Sequence, residues 1–244
     1  MSVHSQAISD ASVGQASSRR RAMMAAVIGN TLEWYDFVVY AFLAGTIAKL
    51  FFPAGNETAS LLLTLATFGV GFVMRPVGAI LLGSLADRAG RKTALMLTIL
   101  LMGLGTAIIA FAPTFATIGW AAPVLIVTAR LIQGFSAGGE LGSATAFMIE
   151  SAAPGRRGFG ASWQQASQAA TLVVGSLLGA AVTGLMPAQD LEAWGWRIPF
   201  LLGLLIVPVG LFMRSQIDES AEFAGLGEAR ERNPVRRVFA SQAR

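Results

Sequence analysis

The stretch Gly83-Ser84-Leu85-Ala86-Asp87-Arg88-Ala89-Gly90-Arg91-Lys92 decides the fold. It sets five polar or charged side chains and two glycines, a residue type suited to turns, between long apolar segments at 59–82 and 93–112. Each flank is as long as the roughly 20 apolar residues that a helix needs to cross a bilayer core. A short basic loop between two such helices marks a multi-span membrane protein and belongs on its cytoplasmic side.

The composition of the 244-residue chain agrees: 54% of residues are hydrophobic and 13% are charged, against about 25% charged in an average soluble protein. There is no cysteine, which excludes disulfides and thiolate metal sites. The one histidine, His4, lies in the polar N-terminal segment, which argues against a histidine-held metal or a catalytic triad. The net charge of +4 comes from arginines and lysines in short loops and tails, so no nucleic-acid partner is expected. With no histidine in any span, no cysteine and no Ser-Lys or paired-aspartate arrangement, an intramembrane enzyme finds little support, and no cofactor or metal is expected.

Residues 1–21 read as a disordered cytoplasmic tail, rich in Ser, Ala and Gln and closing on Arg19-Arg20-Arg21. The apolar stretch that follows is too long and too acidic for a cleaved signal peptide, so it reads as a retained first span. Six spans are expected, at 22–50, 59–83, 93–112, 121–149, 159–186 and 196–214, which together make a bundle over 22–214. Arg19–Arg21, Arg88, Arg91, Lys92, Arg156, Arg157, Arg214 and the C-terminal arginines all fall on one side. Lys49 and Arg197 are left for the other, which puts both termini in the cytoplasm. Residues 215–244 carry interleaved acids and arginines without a spanning run, and read as a cytoplasmic linker or surface helix.

Gly83-x-x-x-Asp87-Arg88-x-Gly90-Arg91-Lys92 resembles the loop 2–3 signature of the major facilitator superfamily, and Arg130-x-x-Gln133-Gly134 resembles its second motif. Narrower features resemble one branch, the metabolite:proton symporters: Asn30-Thr31-Leu32-Glu33-Trp34-Tyr35-Asp36-Phe37, Arg75-Pro76-Val77-Gly78, Gly134-Phe135-Ser136-Ala137-Gly138-Gly139-Glu140 and Trp196-Arg197-Ile198-Pro199-Phe200. That branch includes permeases for citrate, alpha-ketoglutarate, shikimate, and proline or betaine. The resemblance implies an all-α membrane protein, a bacterial inner-membrane location and twelve spans in two six-span halves. The chain holds the first half, and Asn233-Pro234-Val235-Arg236-Arg237-Val238-Phe239 resembles the end of the family's central loop. A fragment, a truncated product or one half of a split transporter is therefore expected, with the C-terminal half as a partner in cis or in trans.

The residues themselves nominate a site. Glu33 and Asp36, three apart on a helix, share nearly one face. An acid at membrane depth is costly and so faces the bundle interior or a wet cavity. Exchange of protons is the work such a pair suits, and the bland alternative is an ion pair that fixes packing. Arg130 offers a planar fork to a carboxylate, or else it is a structural partner of Glu33, Asp36 or Glu140. Gln133, one turn on, could donate to a bound oxygen, and Tyr40 joins it as a substrate-binding candidate. Glu140 follows a Gly-Gly pair where irregular backbone is expected, and a part in coupling is open to it. Arg75 either holds an interior charge or snorkels to the interface. Gln164, Gln165 and Gln168 form a stripe that either binds a polar substrate or holds helices together, and Gly175-x-x-x-Gly179 reads as close packing. Gly179 is followed by Ala180-Ala181, not by the proline of the antiporter signature.

The resemblance implies proton-coupled symport of a small organic acid, with the proton as coupling ion, and a zwitterion such as proline or betaine as the alternative. It also implies that the Gly83–Lys92 loop is a cytoplasmic latch, with Asp87 capping the next helix or meeting an arginine. Arg88, Arg91 and Lys92 there would meet anionic lipid headgroups.

Overall fold

The computed structural model describes residues 23–24, 27–28, 30–151, 155 and 157–215. The tail expected at 1–21, Arg156 and positions 216–244 of the expected linker lie outside the described residues. Among the described residues five helices are long and apolar enough to cross a membrane, or six where the bent pair at 30–51 is taken as one span. That is the only regular solution open to a chain in hydrocarbon short of a closed barrel, because a helix satisfies its own backbone.

The first span is broken. Helix α1, Asn30–Phe42, meets α2, Ala44–Phe51, at 69°. Leu43 leaves the helical region (φ −87°, ψ 8°), while Leu43 N–H still donates to Val39 O at 3.0 Å and Ile47 N–H to Leu43 O at 2.9 Å. The kink therefore needs no proline and strands little backbone at the joint.

Helix α3, Glu57–Ala89, opens on Asn56, whose side chain accepts from Ala59 N–H at 2.8 Å, an N-cap with Glu57 in the first turn. It does not stop at Gly83. Helical hydrogen bonding runs on through Ala86 O, which accepts from Gly90 N–H at 3.1 Å. The expected ten-residue loop thus shrinks to one joint at Gly90 (φ 98°, ψ 150°), and α4, Arg91–Phe111, starts at once. A residue without Cβ takes that positive φ freely. Asp87 is exposed on the last turn of α3 and does not cap α4, whose N-cap is Gly90. Lys92 Nζ donates to Ser215 O at 2.7 Å, tying the start of α4 to the end of the last span.

A short turn, α5 (Phe115–Ile118), leads to α6, Ala121–Ser151, and then to α7, Arg157–Leu185. After α8, Ala188–Asp190, a π-helical turn at Leu191–Gly195 introduces α9, Arg197–Ser215. The π turn seats Trp196 in the core against Phe51, ring centroids 5.3 Å apart. Arg197, expected as a loop charge, instead donates to Ala112 O at 3.0 Å and Ala193 O at 3.1 Å and so caps the C-terminal end of α4.

Helices α3 and α6 touch backbone to backbone. A Cβ on Gly134 would collide with the main chain of Gly71, one on Gly78 with that of Phe135, and one on Gly138 with that of Arg75. Small residues at such a seam let dispersion replace the hydrophobic drive that lipid cannot supply. Gly139 is used in the same way, against the Leu82 side chain. The irregular backbone expected at Gly138-Gly139 is absent: α6 is helical through both, because the pair serves close approach and not a break. Gly175 and Gly179 do pack closely, against Val38 and Phe42 of α1. The outer faces of α3 and α7 carry Leu62, Val73, Leu172, Val173 and Leu177, all well exposed and suited to lipid or to a second bundle.

Candidate functional site

Among the described residues, Glu33, Asp36, Arg130, Glu140 and Arg214 are buried charged groups within or at the end of apolar helices. Such groups are retained in a membrane interior when they pair or work.

Asp36, fully buried on α1, sits at the junction of three helices. Its Oδ1 accepts from Thr106 Oγ1 of α4 at 3.1 Å, and its Oδ2 accepts from Gln133 Nε2 of α6. The other end of the same amide, Gln133 Oε1, accepts from Arg130 Nη1 at 2.7 Å. Arg130 and Asp36 are thus joined through Gln133. The i, i+3 spacing of Arg130 and Gln133 puts both on the face of α6 turned toward α1.

The guanidinium of Arg130 lies over the ring of Tyr40 at 3.8 Å, with Phe68 at 5.0 Å and Phe37 at 5.1 Å. Its Nε and Nη2 have no hydrogen-bond partner. The aromatic faces compensate part of the lost hydration, and two donors remain available. Tyr40 Oη donates to Thr64 O at 3.3 Å, which fixes the ring beneath the cation.

One turn away, Glu33 is paired with Arg75 of α3, Nη2 to Oε1 at 3.0 Å. Arg75 also rests on Phe72 at 4.5 Å and Phe37 at 4.8 Å. Its side chain is 19% exposed and ion-paired, so it does not snorkel. Glu140 is paired with Arg214 of α9 through a short Nη2–Oε1 contact. Arg214 also donates to Leu95 O and, at 3.0 Å, to Thr98 Oγ1. Counted above among the loop charges, Arg214 is in fact sealed inside the bundle. The reason is the buried acid facing it, since a charge taken out of water is retained when an opposite charge meets it.

The glutamines of α7 go elsewhere. Asn30 Nδ2 donates to Ser167 Oγ at 2.6 Å and to Gln164 O at 3.2 Å, and Gln168 Nε2 donates to Asn30 Oδ1 at 3.4 Å. Asn30 is six residues before Asp36, about 9 Å along the helix. The Gln168 side chain and the backbone carbonyl of Gln164 therefore gather beside Asn30, and Gln165 is exposed. Gly83, Asp87, Arg88 and Lys92 lie at the α3–α4 end, where Lys92 reaches Ser215 beside Arg214. Of Arg91 the structure describes the backbone alone. A cleft of about 440 Å³, lined in part by Ala48, Lys49, Pro53 and Glu57, opens at the far end of the first span and does not include the charged cluster.

Sequence reasoning passed over Thr106, Arg214 as a partner, and the Asn30–Ser167 contact. Of these, Thr106 had a faint signal, a lone polar residue in the apolar run 99–112. Thr106 is further marked by Gly103 and Gly105, the latter of which admits the Gln133 side chain.

Comparison with known proteins agrees with this architecture. Residues 22–241 match the family model for sugar (and other) transporters. The chain is 45% identical over 223 residues to a citrate-proton symporter of Salmonella typhi, covering 91% of this chain and 51% of that protein. It is 43% identical to the alpha-ketoglutarate permease of Escherichia coli K12, covering 87% and 50%. In structure it is similar to the xylose transporter XylE from E. coli in a partially occluded inward-open conformation. The TM-score is 0.77 at 19% identity, with 87% of this chain and 51% of that one covered. The chain thus spans about half the length of the curated relatives it matches. A six-span bundle, a buried acid–arginine core and these matches together place the chain in the sugar (and other) transporter family of the major facilitator superfamily.

Proposed function

We propose that the chain forms one half of a proton-coupled symporter of small organic acids in a bacterial cytoplasmic membrane, with both termini in the cytoplasm. The observation that carries this reading is the buried run Asp36–Gln133–Arg130, in which an acid able to take up a proton is linked to an arginine with two unused donors. Relatives at 41–45% identity are named for citrate, alpha-ketoglutarate and shikimate, which supports an acidic substrate. Glu33 and Glu140 are further proton-carrying candidates. A carboxylate of the substrate would meet Arg130 in the fork geometry arginine offers. Gln164 and Gln168, near Asn30, would line the approach to that site.

The mechanism is alternating access about a site near the bilayer midplane, between this bundle and a second, related one. The test is uptake by proteoliposomes that hold the chain paired with the C-terminal half of the Salmonella typhi relative. Labelled citrate or alpha-ketoglutarate should accumulate when the outside is acidified and should not when the gradient is collapsed. Uptake indifferent to pH would refute the coupling.

Relatives at 37–38% identity transport proline and betaine, so a zwitterion is the second reading. The aromatic faces that would suit a quaternary ammonium are already occupied by Arg130 and Arg75, which favours the acid. Competition of betaine against citrate in the same vesicles separates the two. Absence of uptake with either would instead favour a non-transporting membrane fragment.

A further inference from the structure

We propose that Gln133 is a positioning residue rather than a substrate ligand, and that its amide turns over when Asp36 takes up a proton, releasing Arg130. This rests on the proton-coupled reading above and deepens it.

The amide's orientation is fixed by the chemistry of its neighbours. A carboxylate can only accept and a guanidinium can only donate. Gln133 must therefore point its NH₂ at Asp36 and its carbonyl at Arg130, as it does. Both ends are used, so no polar atom of this residue is left over as a first choice for a substrate. Thr106 Oγ1 also takes a contact from Gln133 Nε2 at 3.3 Å, while its hydroxyl proton serves Asp36 at 3.1 Å or Met102 O at 3.0 Å.

Now let one proton from water bind Asp36 Oδ2. No heavy-atom bond changes, and the same proton leaves later. An O–H then faces an N–H, donor against donor. Half a turn about the amide's last side-chain bond brings Oε1 round to accept the new proton. The NH₂ group then faces Arg130 Nη1, again donor against donor, and Arg130 loses its acceptor. Its Nε and Nη2 already have none, so the guanidinium is held by Tyr40, Phe37 and Phe68 alone and can meet a carboxylate. Loading of the proton thereby precedes, and prepares, binding of the anion. The titratable and charged groups bearing on this pair are Tyr35 and Tyr40 on α1 and Arg75 on α3, while α4 contributes the Thr106 hydroxyl; Glu33 faces Arg75 and Glu140 faces Arg214.

A competing route exists in the same geometry. A proton on Oδ1 could be donated to Thr106 Oγ1, whose own proton would go to Met102 O, and the amide would not turn.

The full 244-residue chain in lipid nanodiscs separates these routes without any uptake measurement. Infrared titration follows the protonated-carboxyl band of Asp36, assigned by its loss in D36N. Nitrogen NMR follows the Arg130 guanidinium, assigned by R130K. The Arg130 resonance is expected to move with the same midpoint as the Asp36 band in the wild type and in T106V. In Q133L the band still titrates, which also reports a folded site, while the Arg130 movement is lost; Q133M is the second variant should Q133L not assemble. Movement retained in full in both Q133 variants, or lost in T106V, overturns the proposal, as does an Arg130 signal that ignores Asp36 in the wild type. A missing Asp36 titration removes the proton-coupled reading itself, and the inference with it.

Discussion

Arg214 of α9 and Glu140 of α6 close an ion pair with side chains 1% and 5% exposed, and Arg214 at the same time donates to Leu95 O and Thr98 Oγ1 of α4. One guanidinium thus fastens three spans. Removing one member of a buried pair leaves an uncompensated charge and costs about 3–5 kcal/mol, whereas replacing both by apolar groups is often nearly neutral. R214M and E140L should each lower stability by about that much, and the double variant by far less than the sum. Unfolding of the purified chain in detergent, followed by circular dichroism, measures it. Simple additivity would remove the pair from the account.

Glu33 and Arg75 predict a functional effect more than a structural one, since Arg75 is partly accessible and water can screen its loss. E33Q should abolish pH-driven uptake in the paired proteoliposomes while substrate exchange at equal pH continues. R75K keeps the charge but loses the flat stacking on Phe37 and Phe72. A cation–π contact of about 1–2 kcal/mol corresponds to roughly a tenfold loss. Uptake by R75K equal to wild type would show that only the charge matters.

The seam between α3 and α6 gives a third expectation. Gly134→Ala and Gly138→Ala drive a methyl group into the facing main chain, and overpacking of this kind costs about 1–3 kcal/mol. Gly83→Ala has open space and a helical backbone, so it should be neutral or should stabilise by up to about 1 kcal/mol. Denaturant titration of the three variants tests the order. A Gly83 variant as damaging as Gly134→Ala would contradict the helical assignment of 83–89.

Much of this was legible in the sequence, and for a physical reason. Apolar runs of membrane length, basic residues between them and the acids of 33, 36 and 140 are one-dimensional signals, and the bilayer leaves few folds that satisfy them. Partners are not one-dimensional. Nothing in the spacing of Arg214 says that it turns inward, because a basic residue closing a span is equally at home among headgroups. The sequence understates the extent of α3, because Gly83 and the charges after it resemble a loop. Yet Ser84–Ala89 is compatible with helix, and only Gly90 leaves it. The roles of Gln133 and Thr106 depend on which donor meets which acceptor across three helices, and a motif does not carry that information.

Tyr40 gives the final expectation. Its ring lies 3.8 Å from the Arg130 guanidinium, and its hydroxyl reaches Thr64 O. Tyr40→Phe keeps the face and drops one neutral hydrogen bond, a change of about 1 kcal/mol. Tyr40→Leu removes the face from a cation only 1% exposed, so about 2 kcal/mol more should be lost. If the ring also holds Arg130 ready for a carboxylate, the Leu variant should raise the KM for citrate in paired proteoliposomes while the Phe variant leaves it within about twofold, a difference under about 0.5 kcal/mol. Equal KM values for both variants would make Tyr40 a packing residue and leave the orientation of Arg130 to Gln133 alone.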